Sequence, residues 1–412
     1  MFIFEIPSHL LEKIDAKHLS QFMKNEGFLA DASKGAMLIH LISALNAEED
    51  ATEKKQLLAT YHDFLLKTIK YTNNRVVITY PLLTTEQSPY YSEKNLCTKF
   101  DVSSIKELYF SDVIEGKLLK DGRFEPIYRN VTSSEGLIGL IEMAFGRICK
   151  YTRFDGKKVT YYDFIWIEID PKLQVMRVTM SESPSGFSVY EKDSKMKTQQ
   201  KLVNKVKIDY GCIFSEVNEK QSLFKIYKYL TAHIEDPYYR QVLPFEKEIE
   251  EFVTNMKEKL LINDIEDIKL AYRIQKLFER NLIQKDFIKF RTKKVDDGRI
   301  LNISYSDDVG GNVKASSGGS FLNGKANQEF DLQDSSVYFD TKESIYNDRE
   351  LSSITVSWVN KSTLDDDRFD TIDIRYSAYK NFYVTHFLRY NVREEIYDYV
   401  LPKFNEYKRK PL

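Results

Sequence analysis

Cysteine is scarce in this chain: three residues in 412, Cys97, Cys149 and Cys212, odd in number and far apart. That spacing excludes a disulfide framework and a paired-cysteine zinc site, and it suits a reducing compartment. Proline and glycine are few, at 10 and 16, which excludes a collagenous or linker-like chain. No charge dominates. The 60 basic and 62 acidic residues leave a formal net charge of −2, so affinity for a polyanion has to come from local clusters. Long hydrophobic runs are missing as well. The most apolar stretch, residues 136–148, is too short to span a bilayer and carries Glu142 and Arg147. The opening MFIFEIPSHLLEKIDAKHL has no basic lead before its short apolar run and no small-residue cleavage site. It is not expected to act as a signal peptide. The expectation from these absences is a cytoplasmic protein without membrane attachment. GxSxG and HExxH are absent, and the six histidines are scattered, so no standard hydrolase motif is present. Aromatic residues are abundant by contrast, with 27 Tyr and 26 Phe beside 2 Trp.

Hydrophobic periodicity divides the chain into four sections. Residues 1–72 read as helical, with Leu57, Tyr61, Phe64, Leu65 and Ile69 at helical spacing in the last of three segments. Residues 73–190 are mixed. The run RVVITYPLL from Arg75 reads as a strand. Ser134-Glu135 is expected to open an apolar helix reaching Cys149. The run YYDFIWIEI, the turn Asp170-Pro171-Lys172 and residues 175–180 read as a hairpin. Residues 191–285 read as helical with basic faces, and Phe245, Ile249, Phe252, Val253, Met256 and Leu260 form one apolar stripe. Residues 286–412 are β-rich. A hairpin is expected to turn at Asp296-Asp297-Gly298, three later strands at 353–359, 371–376 and 382–388, and a closing helix after the Asn391/Glu394 capping pair. Pro402 should kink that helix or end it early. Segregated helical and β-rich sections favour an α+β fold of two or three packed units over a doubly wound α/β fold.

Four constellations carry chemical meaning. Gly319 to Ala326 fits GxxxxGK, but Ala326 stands where a phosphate loop has its magnesium-binding hydroxyl, and no strand–helix context surrounds it. It reads as a flexible Gly/Ser loop. Asp163, Glu168, Asp170 and Lys172 have the order of a metal-dependent nuclease, in which acids on adjacent strands hold magnesium and a lysine polarises the attacking water. Pro171 sits awkwardly in that pattern, because it favours a turn and cannot donate to a ladder. Residues 329–373 hold twelve acids against four bases, net −8, including Asp365, Asp366, Asp367, Asp370 and Asp373. They lack the spaced ligands and glycine of a calcium loop and read as a solvated acidic loop or contact surface.

The fourth constellation is basic. Residues 269–294 hold nine bases against two acids, net +7. Lys269, Arg273, Lys276 and Arg280 fall in one helical stripe, and Lys289, Arg291 and Lys293 alternate along the following strand. A second segment, residues 192–207, is net +5, with Lys197, Lys201 and Lys205 at four-residue intervals. A basic helix followed by a basic hairpin suits contact with a phosphate backbone. The leading expectation is therefore a nucleic-acid-binding protein, a possible component of a multi-protein system acting on foreign DNA or RNA, with no cofactor. Two alternatives stand beside it. One is a magnesium-dependent nuclease centred on Asp163, Glu168, Asp170 and Lys172. The other is an interaction subunit whose acidic and basic surfaces meet a protein partner or a second copy.

Overall fold

The computed structural model describes residues 8–11, 13–30, 33–72, 75–104, 108, 120, 122–152, 156–181, 195–261, 270–286, 297–306, 312–316, 332–334, 336–363, 370–389 and 392–412. The fold is α+β, and the strand pairings within each unit described below are antiparallel. The chain divides into two compact units, Met1–Val217 with Lys380–Tyr399, and Asn218–Tyr379 with Val400–Leu412. No described helix is long and apolar enough to cross a membrane.

The first unit begins with four helices: α1 (Ser8–Leu11), α2 (Ala16–Asn25), α3 (Lys34–Ala47) and α4 (Ala51–Tyr71). Asp15 and Asp50 cap α2 and α4 by accepting backbone N–H bonds from His18 and from Thr52 and Glu53. Then come β1 (Val76–Pro81), α5 (Glu93–Phe100), β2 (Glu125–Ser134), β3 (Leu137–Thr152), β4 (Lys158–Asp170), β5 (Val175–Met180), α6 (Lys195–Asp209) and, after the second unit's long insertion, β10 (Tyr383–Phe387). Their strands lie in the order β2-β3-β4-β5-β1-β10. The sheet is buried on both faces. Ala144, Phe164 and Trp166 join Phe22, Leu41, Phe64 and Leu65 of the opening helices in one core. Ile141, Met143, Phe145, Ile165 and Ile167 join Leu96 of α5 and Leu202, Val203 and Val206 of α6 in the other.

That double burial explains the one large departure from the sequence expectation. The stretch after Ser134-Glu135 is not a helix but the sixteen-residue strand β3. A strand covered on both faces carries apolar residues at consecutive positions, so the period-two signal disappears. Glu135 and Gly136 form the β2–β3 turn at φ of 54° and 78°, and Ser134 pairs with Leu137 across it. Two successive positive φ values are the mark of a type I′ hairpin turn, where glycine costs nothing. The hairpin expected over 161–180 forms as β4 and β5.

The second unit holds α7 (Glu219–Val242), a 3-10 turn (Leu243–Phe245), α8 (Glu246–Leu260), α9 (Leu270–Lys285), β6 (Gly298–Ser306), β7 (Asn312–Ser316), α10 (Ser336–Asp348), β8 (Ser353–Val359) and β9 (Thr371–Ala378). Its strands lie in the order β9-β8-β6-β7. The closing helix α11 (Glu394–Lys408) starts in the first unit and ends in the second. Pro402 removes one backbone donor but does not end it. Trp358 and Tyr376 pack on Tyr407 and Phe404 of α11, with ring centroids 5.5 and 5.6 Å apart. The acidic stretch is not one solvated loop. It contains α10, β8 and part of β9, and Asp373 is buried, accepting a 2.6 Å bond from the Ser357 hydroxyl. Asp365, Asp366 and Asp367, the Gly319–Ala326 loop, Asn391 of the capping pair and residues 287–296 of the basic hairpin lie outside the described residues.

Candidate functional site

The acids of the nuclease pattern do not converge. Asp163 and Glu168 lie an odd number of positions apart on the regular strand β4, so they point to opposite faces. Asp163 is fully buried against Arg147 of β3, whose Nε and Nη2 donate to Oδ2 at 3.3 and 3.1 Å; the Ser181 hydroxyl donates to Oδ1 at 3.5 Å. On the other face Glu168 sits between Lys70 of α4, at 2.6 Å, and Arg177 of β5, at 3.6 Å. Lys70 also holds Glu142, the in-register neighbour of Glu168, at 2.6 Å. Burial alone would lift Glu168 and depress Lys70. The attraction wins for both: Lys70 and Arg177 hold the Glu168 carboxyl below its ordinary value, and Glu168 and Glu142 push the Lys70 ammonium up. Asp170 accepts the Leu173 N–H at 2.8 Å and shapes the turn, where Lys172 is exposed. The carboxylates that the sequence nominates for magnesium thus already hold side-chain cations or a turn. Among the described residues, no three His, Cys, Asp or Glu side chains group as metal ligands would.

The basic residues divide. On α6, Lys201 and Lys205 are exposed while Leu202, Val203 and Val206 are buried, so this face is solvated as its spacing predicts. Lys197 belongs to the same helix, and its side chain lies outside the described residues, as do Lys269, Lys289, Arg291 and Lys293. On α9, Arg273 is exposed and Arg280 is half-buried. Lys276 is drawn inward. It donates to Glu279 and lies over the rings of Tyr239 and Tyr272, at 4.8 and 5.5 Å.

Lys276 turns inward because of a buried cluster that joins three helices. Glu235 of α7 accepts bonds from Lys342 and Tyr338 of α10, the latter at 2.5 Å, and from Gln333 at 2.9 Å. Lys342 also reaches Glu279 of α9 at 3.1 Å. Two carboxylates and two ammonium groups balance in a nearly dry site, which fixes one face of α9 against α7 and α10. Burial opposes the charge on Lys342, but Glu235 and Glu279 raise its pKa above the usual lysine value.

With that face fixed, another face of α9 is left to form a groove. Ile274, Phe278 and Leu282 make one wall. Phe245 of the 3-10 turn and Ile249 and Phe252 of α8 make the other, and Val242 at the end of α7 lies between them. The groove has a volume of about 790 Å³. Phe245, Phe252 and Phe278 remain 58%, 55% and 53% exposed, so apolar surface stays open to water that a monomer would otherwise cover. Polar groups are confined to a few positions, among them Lys285, Asn281 and Glu248.

The first unit has a smaller cleft, of about 250 Å³, lined by His18, Asp63, Lys67, Tyr71, Arg393 and Glu394 among others. Its charges largely satisfy one another: Lys67 holds Asp63 at 3.2 Å and Glu394 at 3.0 Å, and Arg393 donates to Gln21. Burial, aided by Arg393 and opposed by Asp15, pulls the His18 imidazole down to about 4, so it is neutral near pH 7.

Sequence reasoning found the apolar stripes of α8 and α9 but read them as core. A stripe shows which side of a helix is apolar, not whether anything covers it. No protein-family model matches the chain, and no curated protein matches it.

Proposed function

We propose that this chain is an interaction subunit that binds a partner protein in the groove between α8 and α9. The observation that carries the reading is the convergence of three more-than-half-exposed phenylalanines on one apolar groove of about 790 Å³. Peptide recognition of this kind buries an apolar stripe of the ligand between helices, and aromatic anchors supply most of the energy. The test is a binding series with labelled 15-residue peptides. Peptides with Leu and Phe at i, i+4, i+7 and i+8 should bind, while scrambled peptides of identical composition should not. Phe252→Glu and Phe278→Glu change exposed side chains and should leave the fold intact while removing binding. Equal retention of patterned and scrambled peptides would sink the reading.

A second reading, nucleic-acid binding through phosphate contacts, is favoured by the exposed Lys201 and Lys205 on α6 and the exposed Arg273 on α9. It requires affinity that falls with salt, with a log–log slope set by the number of phosphates contacted. A gel shift with single- and double-stranded DNA and RNA across a salt series separates the two readings, because peptide binding in an apolar groove survives salt that strips off nucleic acid.

A further inference from the structure

The charge of the groove's edge says more about its occupant. We infer that the groove takes an amphipathic helix of about three turns whose edge along α9 is acidic; this rests on the groove being a protein-binding site. Length comes first. On α9 the lining positions run from Ile274 to Lys285, which at the rise of an α-helix is about 16 Å. On the facing wall, Phe245, Ile249 and Phe252 repeat over two turns. A trough of parallel, turn-spaced ridges fits a helix laid along it, with anchors at i, i+4 and i+7, better than it fits a compact small molecule.

Charge comes second. Going around α9, Gln275, Glu279 and Ile283 face the buried side, and Ile274, Phe278 and Leu282 face the groove. The solvent edge beside the groove carries Arg273, Leu277 and Arg280, and Lys285 is exposed at the far end. The helix's one acid, Glu279, is turned away into the cluster with Lys276 and Lys342. The edge is therefore three positive charges with no acid among them. A ligand helix lying in the groove would set one polar edge over this row, and carboxylates there are matched while lysines are repelled. Glu248 lines the opposite wall, so the preference for acid belongs to the α9 side.

Three 15-residue peptides test this with the full-length chain. They share one Leu/Phe anchor stripe and carry Glu, Gln or Lys at the positions on the α9 side. Fluorescence anisotropy at low salt should rank them Glu, Gln, Lys, with about ten-fold between the extremes, as expected from a few rim pairs of modest strength. The double variant Arg273→Glu/Arg280→Glu should reverse the order, with unchanged circular dichroism as the control for folding. Equal affinity for all three peptides would overturn the acidic-helix inference and leave the groove reading standing. Binding of none, with wild-type fold retained, would overturn both. Two further outcomes would also reject the inference. One is a dimer of the chain that Phe278→Glu dissociates, which makes a second copy the occupant. The other is displacement of the Glu peptide by oligouridine, which makes the basic edge a nucleic-acid site.

Discussion

At the scale of single residues, the chain places charge where it is buried and balanced. Lys70 between Glu142 and Glu168, Arg147 on Asp163, and Lys342 between Glu235 and Glu279 each join separate elements through charge-assisted contacts. Such pairs contribute little net stability relative to apolar packing, but losing one partner strands a charge. His18 is the exception: its ring is largely buried, edge-on to Phe64 at 5.0 Å, and Nδ1 has no hydrogen-bond partner. Burial, with Arg393 and Lys67 adding and Asp15 opposing, lowers its pKa from 6.5 to about 4. The unfolded chain therefore takes up a proton between pH 6.5 and pH 4 that the folded chain refuses. Stability from this group is complete above pH 6.5 and is lost as pH falls towards 4. Between pH 7 and pH 5 the loss should be about 2 kcal/mol. Urea unfolding of wild type and His18→Gln at these two pH values checks it. The variant should lose most of the difference. An equal pH dependence in both proteins would show that His18 is not its source. Glu168, whose folded pKa is depressed, adds a separate loss at lower pH that His18→Gln leaves in place.

At the scale of elements, the turn between β2 and β3 makes the sharpest prediction. Glu135 occupies a left-handed position at φ 54°, beside Gly136 at φ 78°. Asparagine tolerates that region far better than glutamate, and Asn-Gly is the preferred pair for a type I′ turn. Glu135→Asn should stabilise the first unit by about 0.5–1 kcal/mol, read as a higher melting temperature; a lower one would contradict the turn geometry. The same stretch shows how far the sequence can be read. The hairpin of β4 and β5 is legible because alternation and a Pro-containing turn survive at its ends. The strand β3 is not, because Ile141, Met143 and Phe145 face one core and Ala144 faces the other, which erases the alternation. Helical stripes on α4, α8 and α9 are legible as stripes. Their fates are not: α4 is covered, whereas Phe252 and Phe278 are left open. The inward turn of Lys276 was hidden for a related reason. Its partner Glu279 is local, but the residues that make the site buried, Glu235 and Lys342, lie far away in sequence.

At the scale of the whole chain, the two tryptophans fall one to each unit, Trp166 in the first and Trp358 in the second, both fully buried. Trp358→Phe leaves a reporter for the first unit, and Trp166→Phe leaves one for the second. The chain passes between the units at three points, the last inside the continuous helix α11. That helix gives Ile396 and Tyr397 to the first unit and Val400, Phe404 and Tyr407 to the second, all buried. Helix formation is cooperative along its length, so half of α11 does not melt without consequence for the other half. Lys342→Met offers a perturbation confined to the second unit. It leaves Glu235 and Glu279 buried with one cation fewer, at a cost of about 3–5 kcal/mol. In urea, the Trp358 midpoint should fall in this background. The Trp166 midpoint should fall with it, by a smaller amount, because the shared helix loses its second-unit anchors first. A Trp166 transition that stays fixed while the Trp358 transition moves would mean that the units unfold independently and that α11 frays at their boundary.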